Sequence, residues 1–217
     1  MNNFVPFILL FIFISGLFTA VVSPVSVKLI ENSWNTKTPM SYARANLGVI
    51  AVDGKIYAIG GYTAINHEWW GPYQTGFVGI NECYDPKTDT WVTLKPMPTS
   101  RANFAIVAYQ DKIYCMGGES RSGIHNAVEV YDIATDSWST KKDILFNGLG
   151  IQAHVVDGKI YVVKGQDLYM YNPTVDEWTE KVSMPRTDDI AAGSGVFDFV
   201  SVAFDSEIVI YFPCIHN

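Results

Sequence analysis

The sequence predicts an all-β fold of repeated four-stranded sheets, and two recurring features predict it. An apolar strand ends at a diglycine twice, at Gly60-Gly61 and at Gly117-Gly118. A tryptophan lies 26 residues before the first glycine position in three copies, at Trp34, Trp91 and Trp138. Because a repeat of about 40 to 60 residues made of short strands is typical of propellers and other repeat arrays, we expect a β-propeller.

Each repeat is expected to contain four antiparallel strands. In the first copy, residues 45–52 and 55–59 are apolar runs joined by Asp53-Gly54, a common hairpin turn. Residues 79–94 supply two further strands around an Asp-Pro turn. One such sheet cannot bury both of its faces alone, so we expect successive sheets to stack with the tryptophans between them.

The repeat divides the chain into about three complete units with partial units at both ends. The complete units span about 44–98, 101–145 and 148–185, and Trp178 lies in the outer strand of the third. A strand around Trp34 belongs to a partial N-terminal unit, and residues 186–217 form a partial C-terminal one. Together these units make a predicted propeller domain over residues 27–217.

The repeated residues carry a family resemblance. In the first two units they are Arg44, Tyr57, Gly60-Gly61, Tyr84-Asp85-Pro86 and Trp91, then Arg101, Tyr114, Gly117-Gly118, Tyr131-Asp132 and Trp138. This pattern resembles the kelch motif, and the resemblance implies a kelch-type β-propeller. The third unit departs from it, with Lys164 at the first glycine position and Gly148 at the arginine position.

The resemblance also implies five to seven blades, more than this chain can supply. Three alternatives stay open: a four-bladed ring, an open arc that a homo-oligomer completes, and a truncated propeller.

The N-terminus has a different composition from the repeats. Residues 4–22 contain no charge and are mostly Phe, Ile, Leu and Val, which is near the length of a membrane-crossing helix. We therefore expect residues 1–24 to be a hydrophobic helix that acts as a signal peptide or as a membrane anchor, with both alternatives open. Either one places the propeller outside the cytoplasm, secreted or membrane-anchored with the propeller extracellular.

Charge and cysteine content exclude several function classes. The formal net charge is −7 and the basic residues do not cluster, so a nucleic-acid partner is not expected. Three scattered cysteines do not make a disulfide framework or a zinc site. Cys83 and Cys115 lie within predicted strands, which favours a role as small buried hydrophobic residues. No metal site and no cofactor is expected.

Two sets of residues are candidates for ligand binding. Arg44 and Arg101 recur in the repeat, which favours structural packing, while the kelch resemblance implies that arginines at this position contribute to a binding face. The other set lies in an insertion after Gly61 that makes the first unit longer than the second. Its candidate side chains are His67, Glu68, Trp69, Trp70 and Tyr73. An aromatic loop of this kind presents a sugar- or protein-binding surface, or else folds onto its own blade.

The sequence therefore predicts a non-enzymatic interaction module whose ligand is a protein or a glycan. Asp85 with Asp89 and Asp132 with Asp136 look like carboxylate pairs. They occupy the same turn position, as Asn172 with Asp176 does in the third unit, which favours turn capping over acid–base chemistry. The resemblance leaves a rival class open, since kelch propellers include a copper-dependent sugar oxidase and sialic-acid epimerases. A truncated fragment of a longer kelch protein is the third alternative.

Overall fold

The computed structural model describes residues 35–64, 75–183, 200–204 and 207–211. Across these ranges the chain forms 18 strands and no helix, so the all-β prediction is confirmed for the described part. The predicted N-terminal helix over residues 1–24 and the predicted strand around Trp34 lie outside the described residues. Within the described ranges, no helix is long and apolar enough to cross a membrane.

The first four-stranded sheet follows the predicted unit closely. Its strands are β1 (Gly48–Val52), β2 (Lys55–Ile59), β5 (Asn81–Asp85) and β6 (Thr90–Leu94), paired antiparallel in that order. A short hairpin of β3 (Tyr62–Ala64) and β4 (Thr75–Phe77) lies between β2 and β5 along the chain. The β1–β2 turn uses Asp53 and Gly54, both with positive φ, as a two-residue type I′ hairpin requires.

The second sheet repeats this order. It contains β7 (Ala105–Tyr109), β8 (Lys112–Met116), β11 (Val128–Asp132) and β12 (Ser137–Lys141), with a small hairpin of β9 (Glu119–Ser120) and β10 (Gly123–Ile124). The third sheet contains β13 (Ile151–Val156), β14 (Lys159–Lys164), β15 (Asp167–Asn172) and β16 (Glu177–Glu180). A two-stranded sheet of β17 (Val200–Phe204) and β18 (Glu207–Tyr211) follows.

The hydrophobic core lies between successive sheets, as stacking requires. Strand β7 packs beside β1, β13 packs beside β7, and β17 packs beside β13. One core cluster joins the first and second sheets and includes Tyr57, Ile59 and Tyr131, while a second joins the second and third. Cys83 and Cys115 are free and buried. Burial raises the pKa of the Cys115 thiol to about 12.

A tyrosine, an aspartate and a tryptophan in each sheet clamp the backbone of one earlier residue, an arrangement we call the latch. In the second sheet, Asp136 Oδ1 accepts hydrogen bonds from the Lys95 backbone N–H at 2.9 Å and the Tyr131 hydroxyl at 2.8 Å. Trp138 Nε1 donates to the carbonyl of the same Lys95 at 2.8 Å. The latch ties each sheet to the chain that precedes it.

The latch recurs in the other two sheets. In the first, Asp89 and Trp91 hold the backbone of Thr38. In the third, Asp176 and Trp178 hold the backbone of Lys142. The recurrent aspartates therefore stabilise turns and sheet contacts, in agreement with the structural interpretation of their repetition.

The first diglycine is required by close packing on the next unit. The Gly61 N–H donates to the carbonyl of Arg101 at 2.9 Å. Gly60 has a φ of +64°, and a Cβ placed there would lie 2.7 Å from that carbonyl oxygen. Gly118 donates in the same way to the carbonyl of Gly148 at 2.8 Å. Each diglycine thus sets the position of the segment that enters the next sheet.

Each insertion is closed at its base by one backbone hydrogen bond. Val78 N–H donates to Gly61 O at 3.0 Å in the first unit, and His125 N–H donates to Gly118 O at 2.8 Å in the second. The two insertions differ in length, but the same bond closes both.

Candidate functional site

The loops that vary between units all lie at one end of each sheet, which we call the loop end. It is the end at which the first strand of each sheet begins. In the first sheet the start of β1 at Gly48 pairs with the end of β2 at Ile59, which pairs in turn with the start of β5 at Asn81, so the β2–β5 connection lies at this end. The β3–β4 and β9–β10 hairpins and the segments that lead into β1, β7 and β13 all belong to this end. Sites for ligands are therefore sought here, since rigid strands position these loops.

The two candidate arginines lie inside the protein at this end. Arg44 forms an ion pair with Glu82 at 2.7 Å, and both side chains have no solvent exposure. Its guanidinium also donates to the carbonyls of Gly60 and Ile80, each at 2.9 Å. Burial lowers the pKa of the Arg44 guanidinium below its ordinary value, and the charge of Glu82 opposes that shift. This placement favours packing over direct contact with a ligand.

Arg101 repeats the arrangement in the second unit. Its guanidinium is fully buried, forms an ion pair with Glu129 and donates to the carbonyl of Cys115 at 3.0 Å. The second carboxylate oxygen of Glu129 accepts from the backbone N–H of Thr99 at 3.2 Å and from its hydroxyl at 2.9 Å. The glutamate therefore joins the arginine to the loop that leads into β7.

The third unit lacks both members of this pair. Gly148 lies ten residues after Trp138, which is the position of the arginine in the first two units. Tyr169 lies nine residues before Trp178, which is the position of the glutamate. The ring of Phe146 stacks on Tyr169 with centroids 4.1 Å apart. Lys164, at the first glycine position, places its ammonium 5.1 Å from the centre of the Phe146 ring and donates to the Asn147 carbonyl at 2.8 Å. In the third unit, aromatic and cation–π contacts therefore take the place of the ion pair and hold the loop that leads into β13 against the sheet.

Gly148 also lets the leading loop of the third unit approach the second unit closely. A Cβ at Gly148 would lie 2.4 Å from the carbonyl oxygen of His125 and 2.5 Å from Gly117 Cα. No other residue fits this position without movement of the backbone. The absence of a side chain here brings loop 145–147 against the β9–β10 hairpin.

An open groove of about 460 Å³ lies where these two segments meet. It is lined by Ile124, His125, Asn126, Leu145, Phe146 and Asn147. Ile124 and Leu145 expose 47% and 59% of their surfaces, large fractions for aliphatic side chains. The groove therefore offers apolar surface beside amide and imidazole groups, a combination found in binding sites for polypeptides.

His125 is held in place by the hairpin that carries it. Its Nε2 lies 2.6 Å from the hydroxyl oxygen of Ser120. The Ser120 hydroxyl also contacts the Ser122 hydroxyl at 2.8 Å and accepts from the Ser122 N–H at 3.1 Å. These bonds order the hairpin turn and fix one wall of the groove.

The other predicted binding residues lie outside the described residues. They are His67, Glu68, Trp69, Trp70 and Tyr73. The structure describes only the stem of their insertion, β3 and β4, where Tyr62 and Phe77 make an edge-to-face contact with centroids 6.3 Å apart. Their role in binding stays a prediction.

A second polar cluster lies between β13 and β17. His154 Nε2 lies 2.7 Å from the Ser201 hydroxyl oxygen, and Gln152 Oε1 accepts from the backbone N–H and the hydroxyl of Ser201. Burial lowers the pKa of His154 below its ordinary value. The cluster joins the third sheet to the β17–β18 hairpin.

The described part of the chain holds no group of three or more histidine, cysteine, aspartate or glutamate side chains arranged to bind a metal ion.

The groove was missed by sequence reasoning, although three signals for it were present. The departures at Gly148 and Lys164 were visible as breaks in the repeat, and the replacement of glutamate by Tyr169 could be counted from Trp178. What the sequence did not show is that Phe146 stacks on Tyr169, which turns Leu145 and Asn147 toward the hairpin of the second unit.

Comparison with known proteins identifies the repeat. The family model of the Kelch motif matches residues 43–98 and 100–143. The kelch-like protein terF of Aspergillus terreus is 36% identical over 98 residues, which is 44% of this chain and 20% of that protein. The human influenza virus NS1A-binding protein is 39% identical over 83 residues, 38% of this chain and 11% of that protein. The chain thus spans a fifth or less of these relatives.

A solved structure shares the fold. The structure of YjhT aligns with a TM-score of 0.59 at 17% identity, covering 72% of this chain and 57% of that one. At this identity the likeness concerns the fold alone.

Proposed function

Because this chain is a kelch-repeat protein, we propose that it is a non-catalytic interaction module that binds a protein ligand in the groove between the β9–β10 hairpin and loop 145–147. The groove itself is the observation that carries the proposal. It arises where the third unit departs from the repeat, and residues that the scaffold does not need are free to serve a ligand.

The chemistry of the lining supports binding rather than catalysis. Ile124, Leu145 and Phe146 offer apolar contact, and Asn126 and Asn147 offer amide donors and acceptors. None of these five side chains exchanges protons with a substrate at neutral pH, and the imidazole of the sixth lining residue, His125, is engaged with the Ser120 hydroxyl. A protein ligand is further supported by the human relative, which is named for binding a viral protein.

A glycan is the second candidate ligand, favoured by a different observation. Trp69, Trp70 and Tyr73 concentrate aromatic rings in the insertion after Gly61, and such rings stack on sugars. We also place the module outside the cytoplasm, because residues 4–22 form an uncharged apolar segment near membrane-spanning length.

Display of random peptides against the full chain in mild detergent tests the protein ligand, with a glycan array in parallel. Enriched peptides should bind the natural chain and lose about tenfold or more in affinity for Asn126→Trp, whose indole fills the groove. Thr93→Trp on the exposed outer strand β6 is the matched control and should bind normally. Peptide binding that Asn126→Trp leaves unchanged, or binding to glycans alone, would overturn the proposal.

A further inference from the structure

The groove beside loop 145–147 is lined by five side chains without a titratable group and by His125. Its six lining residues include no carboxylate, ammonium or guanidinium group. Lys164, the last residue of β14, lies over the ring of Phe146 and donates to the backbone carbonyl of Asn147, so its charge is engaged at the base of the loop. The lining side chains themselves therefore offer no carboxylate, ammonium or guanidinium counter-ion to a charged ligand, and the exposed Arg121 in the turn of the β9–β10 hairpin is not among them.

The two buried arginines cannot supply that counter-ion. The side chains of Arg44 and Arg101 have no exposure, and each forms an ion pair with a buried glutamate. If either guanidinium turned toward a ligand, Glu82 or Glu129 would stay buried without its partner. A buried, unpaired carboxylate is strongly destabilising. In addition, the net charge of −7 repels acidic ligands over longer distances.

Two exposed aliphatic side chains of the groove are suited to an apolar anchor. Ile124 and Leu145 lie on its two walls, one on the hairpin of the second unit and the other on the loop of the third. A single aliphatic or aromatic side chain placed between them would remove apolar surface from water on both sides, which is the usual source of affinity at the centre of an interface.

The amides of the groove are suited to a peptide backbone. Asn147 Oδ1 already accepts from the Leu149 N–H at 3.1 Å, which leaves its NH2 group as a donor. The Asn126 backbone carbonyl accepts from the Ile144 N–H at 2.9 Å, which fixes the main chain from which the exposed Asn126 amide extends. An extended segment can exchange backbone hydrogen bonds with two such amides whatever its side chains are.

We infer that the ligand of this groove is an uncharged, extended stretch of polypeptide that inserts one aliphatic or aromatic side chain between Ile124 and Leu145. The inference rests on the proposed function and names the chemistry of its ligand. It separates this site from recognition by an exposed arginine such as Arg121 of the β9–β10 hairpin, in which acidic residues of the ligand would dominate.

The peptides enriched by display provide the test. A fluorescent copy of the most enriched peptide should bind the full chain with an affinity that changes less than about twofold between about 0.05 M and about 0.5 M sodium chloride, because salt screens charge but not apolar contact. Leu145→Asp should weaken that affinity about tenfold or more, and Leu145→Met should preserve it. Val175→Asp, at an exposed valine elsewhere, should bind as the natural chain does.

The outcomes distinguish the inference from the function on which it rests. Enriched peptides that share acidic residues, and whose binding at the groove falls steeply with salt, would overturn the inference and leave the proposed function standing. Equal binding by Leu145→Asp and the natural chain would also overturn it. If Asn126→Trp leaves peptide binding unchanged, the proposed function is overturned, and the inference that rests on it is overturned with it.

Discussion

The indole N–H of Trp138 donates to the carbonyl of Lys95 at 2.8 Å, and so joins the second sheet to the chain that leaves the first. Asp136 accepts the N–H of the same Lys95, which means that one residue has both backbone polar groups held by the neighbouring sheet. The tryptophan that made the repeat visible therefore makes a contact between sheets.

Trp138→Phe tests the strength of this latch. The change removes one hydrogen bond and part of a packed ring, and the free energy of unfolding should fall by about 2 kcal/mol. Urea denaturation followed by circular dichroism measures it. Tyr42→Phe, at an exposed tyrosine, should leave the midpoint where it is. Equal midpoints for Trp138→Phe and the natural chain would show that the latch contributes nothing.

The buried ion pair of the second unit should behave as a coupled unit. Glu129→Leu leaves the Arg101 guanidinium buried without its partner, and the free energy of unfolding should fall by about 3 to 5 kcal/mol. Arg101→Met together with Glu129→Leu should recover much of that loss, since the third unit already replaces both members. The same urea titration compares the variants. Additive losses in the double variant would contradict the coupling.

Gly148 should tolerate no side chain. In Gly148→Ala the new methyl would meet backbone atoms of His125 and Gly117, so we expect a loss of about 1 to 3 kcal/mol in the free energy of unfolding and weaker peptide binding. Gly150→Ala is the matched control, because its Cβ would enter open space and its cost comes only from a positive φ. A smaller loss at Gly148 than at Gly150 would refute the crowding argument.

His154 should make the third sheet and the β17–β18 hairpin sensitive to mild acid. Because burial lowers its pKa in the folded protein, the unfolded chain binds more protons between that pKa and about 6.5. Stability should therefore be complete above about pH 6.5 and fall as the pH drops toward the folded pKa. Urea midpoints measured at about pH 7 and about pH 5 test this. The midpoint of His154→Gln should fall less between the two pH values than the midpoint of the natural chain does. An equal loss in both would exclude His154 as the cause.

The repeat predicted most of the scaffold because its contacts recur. Strand pairs such as Gly48 with Ile59, and turns such as Asp53-Gly54, depend on neighbours in sequence and could be identified from one unit and checked in the next. Arg44 was harder to interpret, since an arginine that recurs suits both a binding face and a buried pair. Its partner Glu82 recurs nine residues before the tryptophan, and that second repetition favours the buried pair.

The groove depends on contacts that occur once and between distant residues. Phe146 and Tyr169 are 23 residues apart, and His125 meets Gly148 across two units. Neither contact leaves a periodic trace in the sequence. Only their consequence was visible, as breaks in the repeat at Gly148, Lys164 and Tyr169.

The backbone hydrogen bond that closes each insertion separates the length of the hairpin from the structure of the sheet. Gly61 and Val78 meet across a long insertion, and Gly118 and His125 meet in the same way across a short one. The sheet beyond each bond is the same in both units, so foreign segments of different lengths could be grafted between these closing residues. The chain is accordingly a frame on which new recognition loops can be engineered without redesign of the strands.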